Sequence, residues 1–202
     1  MAGYQMSAAG LLERVLRDVI FYDQSGGGVT FSGGDPLCQP GFLREMLCLC
    51  RERGLHSAVD TSGQAPWEAL EAVAQVTDLF LYDLKLMDGE RHRRHTGAGN
   101  QLLLDNLVEL SRVHAEVIVR VPVIPGINDD LGNAGEAAAF LSKETRINRV
   151  ALLAYHATGE AKYGRLGRSS PLPPTASPGR DRLLELARIY EAAGLKVTGP
   201  DA

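Results

Sequence analysis

Residues 79–84 read LFLYDL, an apolar run that ends at Asp83 and Leu84, with Lys85 directly after it. A short, nearly continuous apolar run of this kind predicts a strand, and such strands are typical of parallel sheets covered by helices. Residues 150–155, VALLAY, repeat this pattern and lead into His156. The two stretches predict an α/β fold whose strands end at polar side chains.

Helical and strand patterns alternate along the rest of the chain. The predicted helices lie at 7–22, 40–53, 66–76, 100–113, 132–142 and 181–193, and the predicted strands at 26–31, 57–60, 79–84, 116–123, 149–154 and 196–198. Residues 164–180 are rich in Pro, Ser and Gly and are predicted to form a loop. A complete (βα)₈ barrel needs about 250 residues. The 202 residues therefore predict one domain, 1–202, that is part of such a barrel or an open α/β sheet.

Composition excludes several classes of protein. The chain is 45% hydrophobic and 23% charged, which is the balance of a soluble globular protein. Its 21 basic residues are scattered among 25 acidic ones, which argues against a general nucleic-acid binder. No apolar run reaches the roughly 20 residues of a membrane span, and residues 1–10 lack a secretory pattern, so we expect a cytoplasmic protein.

The three cysteines, Cys38, Cys48 and Cys50, are too few and too irregular for a disulfide framework. They also lack the spacing of a cysteine-only metal site. We expect buried structural thiols in a reducing compartment.

Five predicted strands lead into polar or glycine residues at their carboxyl ends. These residues are Ser32, Gly33, Gly34 and Asp35; Asp60, Thr61, Ser62 and Gly63; Asp83 and Lys85; Arg120; and His156. Because parallel α/β folds build their sites at this edge, the five clusters together predict the lining of a binding site.

Structural roles remain open for the individual clusters. Residues 32–36 could form only a turn with a helix N-cap, and residues 60–63 only an Asx turn. Asp83 and Lys85 share a strand face and could form an ion pair, as could Arg120 with an acid such as Asp83. His156 alone could be a hydrogen-bonded rim residue. The basic run 91–95 predicts a solvated helix face, with contact to a phosphate or an acidic partner as the alternative.

Five motifs in order carry a resemblance to a known family: GGGVTFSGGDPL (26–37), DTSG (60–63), DLFLYDLKLMD (78–88), RVPVIPGIND (120–129) and LLAYH (152–156). The chain resembles the activating enzymes of glycyl radical enzymes, in the radical S-adenosylmethionine (SAM) superfamily and close to pyruvate formate-lyase activating enzyme. The likeness implies a partial (βα) barrel of about five to six parallel strands. It also implies an oxidoreductase that reductively cleaves SAM to generate a glycyl radical on a partner enzyme.

The resemblance implies a set of cofactors and partners. The cofactors are SAM, a [4Fe–4S] cluster and a monovalent cation, and the partners are a glycyl radical enzyme and a reductant such as flavodoxin or ferredoxin. The residues implied for SAM are Ser32, Gly33, Gly34, Asp35, Asp83, Leu84, Lys85, Arg120 and His156. Those implied for the cation are Asp60, Thr61 and Asp83. No residue is expected to act as a general acid or base.

Two departures from the family pattern lead to further expectations. Asp35 stands where the family usually has Glu, which makes its contact with the methionyl amino group less secure. The family's C-x3-C-x2-C cluster motif is absent from this sequence. We therefore expect a fragment or truncated form without the first βα unit, inactive alone and prone to association through an exposed strand edge.

Two other functions stay open at this point. One is a non-catalytic module that keeps the SAM-binding or partner-binding surface. The other is an unrelated barrel enzyme, such as a lyase that forms a Schiff base at Lys85, although the neighbouring Asp83 favours the charged ammonium there.

Overall fold

The structure is a computed structural model and describes residues 4–114, 116–156 and 175–199. In these ranges the strands are β1 (Gly28–Phe31), β2 (His56–Thr61), β3 (Leu79–Asp83), β4 (Val117–Val123), β5 (Arg149–Ala154) and β6 (Lys196–Thr198). The helices are α1 (Ala8–Val15), α2 (Val19–Ser25), α3 (Pro40–Glu52), α4 (Trp67–Ala74), α5 (Gly89–Thr96), α6 (Gln101–Val113), α7 (Leu131–Glu144) and α8 (Arg180–Ala192). Short 3-10 turns lie at Leu16–Asp18 and Pro36–Cys38.

The six strands form one parallel sheet in the order β1-β2-β3-β4-β5-β6. Parallel pairing aligns Val29 with Ser57 in the first strand pair and Val121 with Leu152 further along the sheet. A sequential order of parallel strands joined by helices is the arrangement of a partial (βα) barrel. The predicted fold class is therefore confirmed.

The chain divides into two compact units. Unit 1 comprises Met1–Tyr82 and Leu102–Val117, and unit 2 comprises Asp83–Gln101 and Ile118–Ala202. The single domain over residues 1–202 stays a prediction.

In unit 1, helix α1 packs against α3. Ser7 caps α1 by accepting a hydrogen bond from the Gly10 N–H at 3.2 Å. Leu12 of α1 and Met46 of α3 are buried in the same apolar cluster. The predicted single helix 7–22 is interrupted instead by the 3-10 turn, and α2 buries no residue, so packing does not hold it in line with α1.

In unit 2, strands β4 and β5 have one covered face and one open face. Residues of β4 alternate strictly between buried and half-buried, so Val119 and Val121 lie in the core whereas Arg120 does not. The alternation in β5 similarly buries Val150 and Leu152. This period of two places the Arg120 side chain on the face opposite the core.

No helix within the described ranges is long and apolar enough to cross a membrane. The part of the predicted loop 164–180 that precedes residue 175 lies outside the described residues. Its last residue, Arg180, begins α8 instead of ending the loop.

Candidate functional site

The Asp35 carboxylate joins the loop after β1 to the loop after β2 in unit 1. Its Oδ1 accepts from the Leu37 N–H at 3.1 Å and from the Thr61 hydroxyl at 2.8 Å. Its Oδ2 accepts from the Ser62 N–H at 2.9 Å and the Ser62 hydroxyl at 2.6 Å, and lies 3.1 Å from Thr61 Oγ1. We call Asp35, Thr61 and Ser62 the carboxylate clamp.

The clamp holds Asp35 as an anion. Burial raises the pKa of the Asp35 carboxyl, but hydrogen bonds from Ser62, Thr61 and the Leu37 N–H outweigh burial and lower that pKa below its ordinary value. Donors aimed at a carboxylate favour its charged form. Asp35 is also the N-cap of the short 3-10 turn that follows, which is the structural role that the sequence left open for residues 32–36.

Gly33 and Gly34 precede the clamp and are exposed. Gly33 has φ +128°, a conformation that side chains rarely adopt, and a Cβ placed on either glycine would meet nothing within 4 Å. Neither glycine makes a hydrogen bond to another described residue. Their N–H and carbonyl groups are therefore open to a ligand.

The turn after β2 sits directly on a buried tyrosine. A Cβ on Gly63, whose φ is +69°, would lie 1.7 Å from the Tyr82 hydroxyl oxygen. That hydroxyl donates to the Leu103 carbonyl at 2.7 Å, and burial, followed by the charge of Asp35, raises the pKa of Tyr82. Asn106 fixes the same turn by donating to the carbonyls of Gly63 and Ala65, each at 2.8 Å.

Asp60 and Thr61, the two residues of unit 1 that are implied for a cation, form hydrogen bonds with protein groups. Asp60 Oδ2 accepts from the Ser32 hydroxyl at 3.2 Å. The Thr61 hydroxyl donates to Asp35 and accepts from the Gly63 N–H at 2.9 Å. The cation site stays a prediction, and the geometry of Thr61 supports a structural role for its hydroxyl.

Asp83, Lys85 and Arg120 form a single charge cluster in unit 2. Asp83 Oδ1 lies 2.8 Å from Arg120 Nη2 and 3.1 Å from its Nε, and Asp83 Oδ2 lies 3.0 Å from Lys85 Nζ. The ion pairs that the sequence left open therefore form. Asp83 thus holds two cationic side chains side by side.

This cluster weighs against Schiff-base chemistry at Lys85. Such a reaction needs a neutral amine, whereas Lys85 is paired as an ammonium with Asp83. Leu84 lies between them with 2% of its surface exposed, and its N–H donates to the Arg120 carbonyl at 2.9 Å. Its side chain and N–H are thus already used within the protein.

Three buried asparagines that the sequence did not single out hold the loops of unit 2. Asn128 donates to the carbonyls of Lys85 and Pro122 and accepts from the Ile124 N–H. Asn133 accepts from the Met87 N–H, and Asn100 donates to the Met87 carbonyl. Asn128 lies in the quoted motif 120–129, and this was the signal by which the sequence could have pointed to it. A buried side-chain amide can hydrogen-bond backbone groups in place of backbone partners.

His156 follows β5 and is exposed, with Nδ1 3.5 Å from Ser177 Oγ. The neighbouring Tyr155 N–H donates to the Val123 carbonyl at 3.1 Å, which fixes the backbone beside it. The role of His156 toward a nucleoside stays a prediction.

The basic run 91–95 is only partly a solvated face. His92 is buried, and its Nδ1 lies 2.8 Å from the Ala98 carbonyl oxygen, to which it must donate. Arg91 donates to the Ile127 carbonyl and pairs with Asp130 at 2.8 Å. The prediction was wrong for His92, which is buried, whereas Arg91 keeps 40% of its side chain exposed.

The cysteines do not fit a [4Fe–4S] cluster. Cys38 is exposed, Cys48 half-buried and Cys50 buried, so the prediction of buried thiols was wrong for Cys38. Burial, with the charge of Asp78, raises the pKa of the Cys50 thiol, which disfavours the thiolate that iron needs. Among the described residues, no group of three His, Cys, Asp or Glu side chains could hold a metal ion.

The sequence of residues 4–134 matches the radical SAM superfamily. This match covers more than half of the chain. The chain belongs to the radical SAM superfamily. Radical SAM proteins use SAM together with a [4Fe–4S] cluster, in agreement with the cofactors expected from the motifs.

Individual radical SAM proteins are similar to most of this chain. It is 38% identical over 196 residues to the trans-4-hydroxy-L-proline dehydratase activating enzyme of Clostridioides difficile, covering 96% of this chain and 65% of the relative. It is 38% identical over 167 residues to the (2S)-3-sulfopropanediol dehydratase activating enzyme of Klebsiella oxytoca, covering 82% and 53%. The chain thus spans about half to two thirds of the length of these curated relatives.

A solved radical SAM structure agrees in fold. A domain of pyruvate-formate lyase-activating enzyme from Bacteroides vulgatus superposes with a TM-score of 0.71 at 32% identity, covering 86% of this chain and 99% of that chain. The resemblance inferred from the five motifs is therefore confirmed.

Proposed function

We propose that this chain is part of an activating enzyme that cleaves SAM reductively and generates a glycyl radical on a partner enzyme. The observation that carries the proposal is the match to the radical SAM superfamily together with its relatives, which are activating enzymes by name. The overall reaction takes SAM, one electron and a glycine C–H to methionine, 5′-deoxyadenosine and a glycyl radical. Bound SAM supplies the hydrogen-abstracting group, and the protein orients and shields it.

The residues proposed to form the SAM site, either in contact with SAM or holding the residues that contact it, are Ser32, Gly33, Gly34, Asp35, Asp83, Leu84, Lys85, Arg120 and His156. The open backbone of Gly33 and Gly34 supports a role toward a polar group of the ligand. The two cationic side chains of Lys85 and Arg120, held together by Asp83, support a role toward its carboxylate. Asp60, Thr61 and Asp83 are proposed for a monovalent cation.

A glycyl radical enzyme and a reductant such as flavodoxin or ferredoxin are the proposed partners. A cytoplasmic location belongs to the same proposal, because all three cysteines are free thiols, as a reducing compartment maintains them. The chain's net charge of −4 gives no support for a nucleic-acid or membrane partner.

The test uses the complete gene product, reconstituted anaerobically with iron and sulfide and mixed with SAM, dithionite and a glycyl radical enzyme encoded nearby. We expect equal amounts of methionine and 5′-deoxyadenosine and a glycyl radical signal in electron paramagnetic resonance spectra. Lys85→Ala should weaken SAM binding at least about tenfold, the loss of a charge-assisted hydrogen bond. Lys143→Ala, at an exposed lysine of helix α7, is the matched control.

Absence of SAM cleavage after full cluster loading would end the proposal. Binding without cleavage would favour the non-catalytic module instead.

A further inference from the structure

The Asp35 carboxylate has its hydrogen-bonding capacity filled by its own protein. A carboxylate offers about four lone-pair positions. Asp35 receives four donor groups, namely the Leu37 N–H, the Thr61 hydroxyl and the N–H and hydroxyl of Ser62. A ligand ammonium would have to displace one of them.

By contrast, the backbone groups of the neighbouring glycines have no hydrogen-bond partner among the described residues. Gly33 and Gly34 are exposed and make no hydrogen bond to another described residue, although they precede Asp35 directly in the chain. Two glycines in a row have the greatest backbone freedom of any dipeptide. Their conformation is therefore set by what holds the residues on either side.

We infer that Asp35 is a positioning residue, which through Thr61 and Ser62 fixes the Gly33–Gly34 backbone in its ligand-binding conformation and does not itself contact the ligand. Ser62 is the central partner, since it gives Asp35 two of its four donors, including the shortest contact at 2.6 Å. This inference rests on the proposed function and assigns a role to Ser62 that the motif comparison does not.

The two roles for Asp35 predict opposite effects of removing the Ser62 hydroxyl. If Asp35 contacted the ligand, Ser62→Ala would free a lone pair and leave SAM binding unchanged or stronger. If Asp35 positions the glycines, Ser62→Ala loosens them, and SAM binding weakens by about tenfold, the loss of one hydrogen bond to a charged group.

The experiment measures SAM binding to the complete gene product, reconstituted with iron and sulfide, by isothermal titration calorimetry, with the folded fraction of each variant determined by circular dichroism. We expect Ser62→Ala and Asp35→Asn to weaken binding similarly. Their combination should be no worse than either single change, because both break the same clamp. Ser62→Thr keeps the hydroxyl and should restore binding, and Ser25→Ala, at an exposed helix end, should leave it unchanged.

A second measurement needs no ligand. Backbone order parameters of Gly33 and Gly34 from 15N NMR relaxation should be lower in Ser62→Ala than in the parent protein, while those of α7 stay the same. Unchanged order parameters at the two glycines, or unchanged SAM affinity in Ser62→Ala, would overturn the inference. Failure of the parent protein to bind SAM while the order-parameter result holds would count against the proposed function and leave the clamp established.

Discussion

Arg120 and Asp83 form an ion pair between β4 and the end of β3, with 2.8 Å between Arg120 Nη2 and Asp83 Oδ1. Only about a fifth of either side chain is exposed, at 20% and 21%. The other oxygen of the Asp83 carboxylate pairs with Lys85. The pair is therefore screened less by solvent than a surface salt bridge.

Arg120→Met should lower the free energy of unfolding by about 1–3 kcal/mol, because it leaves a partly buried carboxylate with one partner instead of two. Urea denaturation measures the change. The matched control is Arg112→Met, which removes a pair with Glu109 whose side chains are 55% and 47% exposed. Arg112→Met should lower the free energy of unfolding by less than about 0.5 kcal/mol. Equal costs for the two variants would contradict the role given to Arg120.

Gly63→Ala should destabilise the chain by at least about 3 kcal/mol, because a positive φ costs about 1–2 kcal/mol and the added methyl also collides with Tyr82. Gly194 also has a positive φ, +84°, but open space around its Cβ position. Gly194→Ala therefore isolates the cost of the backbone conformation, about 1–2 kcal/mol. If thermal or urea unfolding showed the same loss of stability for Gly63→Ala and Gly194→Ala, the predicted collision with Tyr82 would be refuted.

Asn128→Ala should lower the free energy of unfolding by about 2–4 kcal/mol, since it removes three hydrogen bonds to the backbone groups of Lys85, Pro122 and Ile124. Asn128→Asp keeps the acceptor for the Ile124 N–H but loses both donors, so its cost should be nearly as large. Asn148 is exposed, and Asn148→Ala should change stability by less than about 0.5 kcal/mol. A loss below 1 kcal/mol for Asn128→Ala would show that water replaces its bonds.

The lowered pKa of Asp35 predicts an acid-dependent contribution to stability. A carboxyl whose pKa is lower in the folded than in the unfolded state stabilises the fold above its unfolded pKa, near 3.9, and loses that contribution as the pH falls. The parent chain should therefore exceed Asp35→Asn in unfolding free energy at neutral pH.

This difference should narrow as the pH drops below about 4, where the unfolded carboxyl becomes protonated. The measurement is urea unfolding of both chains between pH 7 and pH 2. Asp23→Asn, at an exposed carboxyl in α2, should follow the parent curve throughout. A constant gap between the parent chain and Asp35→Asn at every pH would contradict the prediction.

Element order could be predicted from the sequence because hydrophobic periodicity and capping are local properties. Ser7, for example, begins a helix through a hydrogen bond to a residue three positions away. The length of the first helix could not be predicted, because the 3-10 turn and α2 depend on which side chains find a core to pack into.

The sequence located the candidate site residues but could not predict which groups they contact. The sequence placed Asp35 near a ligand, and it did not anticipate that Thr61 and Ser62, which lie 26 and 27 positions later, would fill its carboxylate. It treated His92 as solvated, whereas the Ala98 carbonyl and the packing of α5 bury it.

The amino-acid sequence by itself determined the alternation of strands and helices, the polar carboxyl ends of the strands and membership of the radical SAM superfamily. These follow from periodicity, glycine placement and motif order, which are readable along the chain. Only the tertiary structure decided which polar groups are free and which are used. Hydrogen bonds and burial join residues far apart in sequence, so whether a carboxylate is satisfied depends on which loop folds against it.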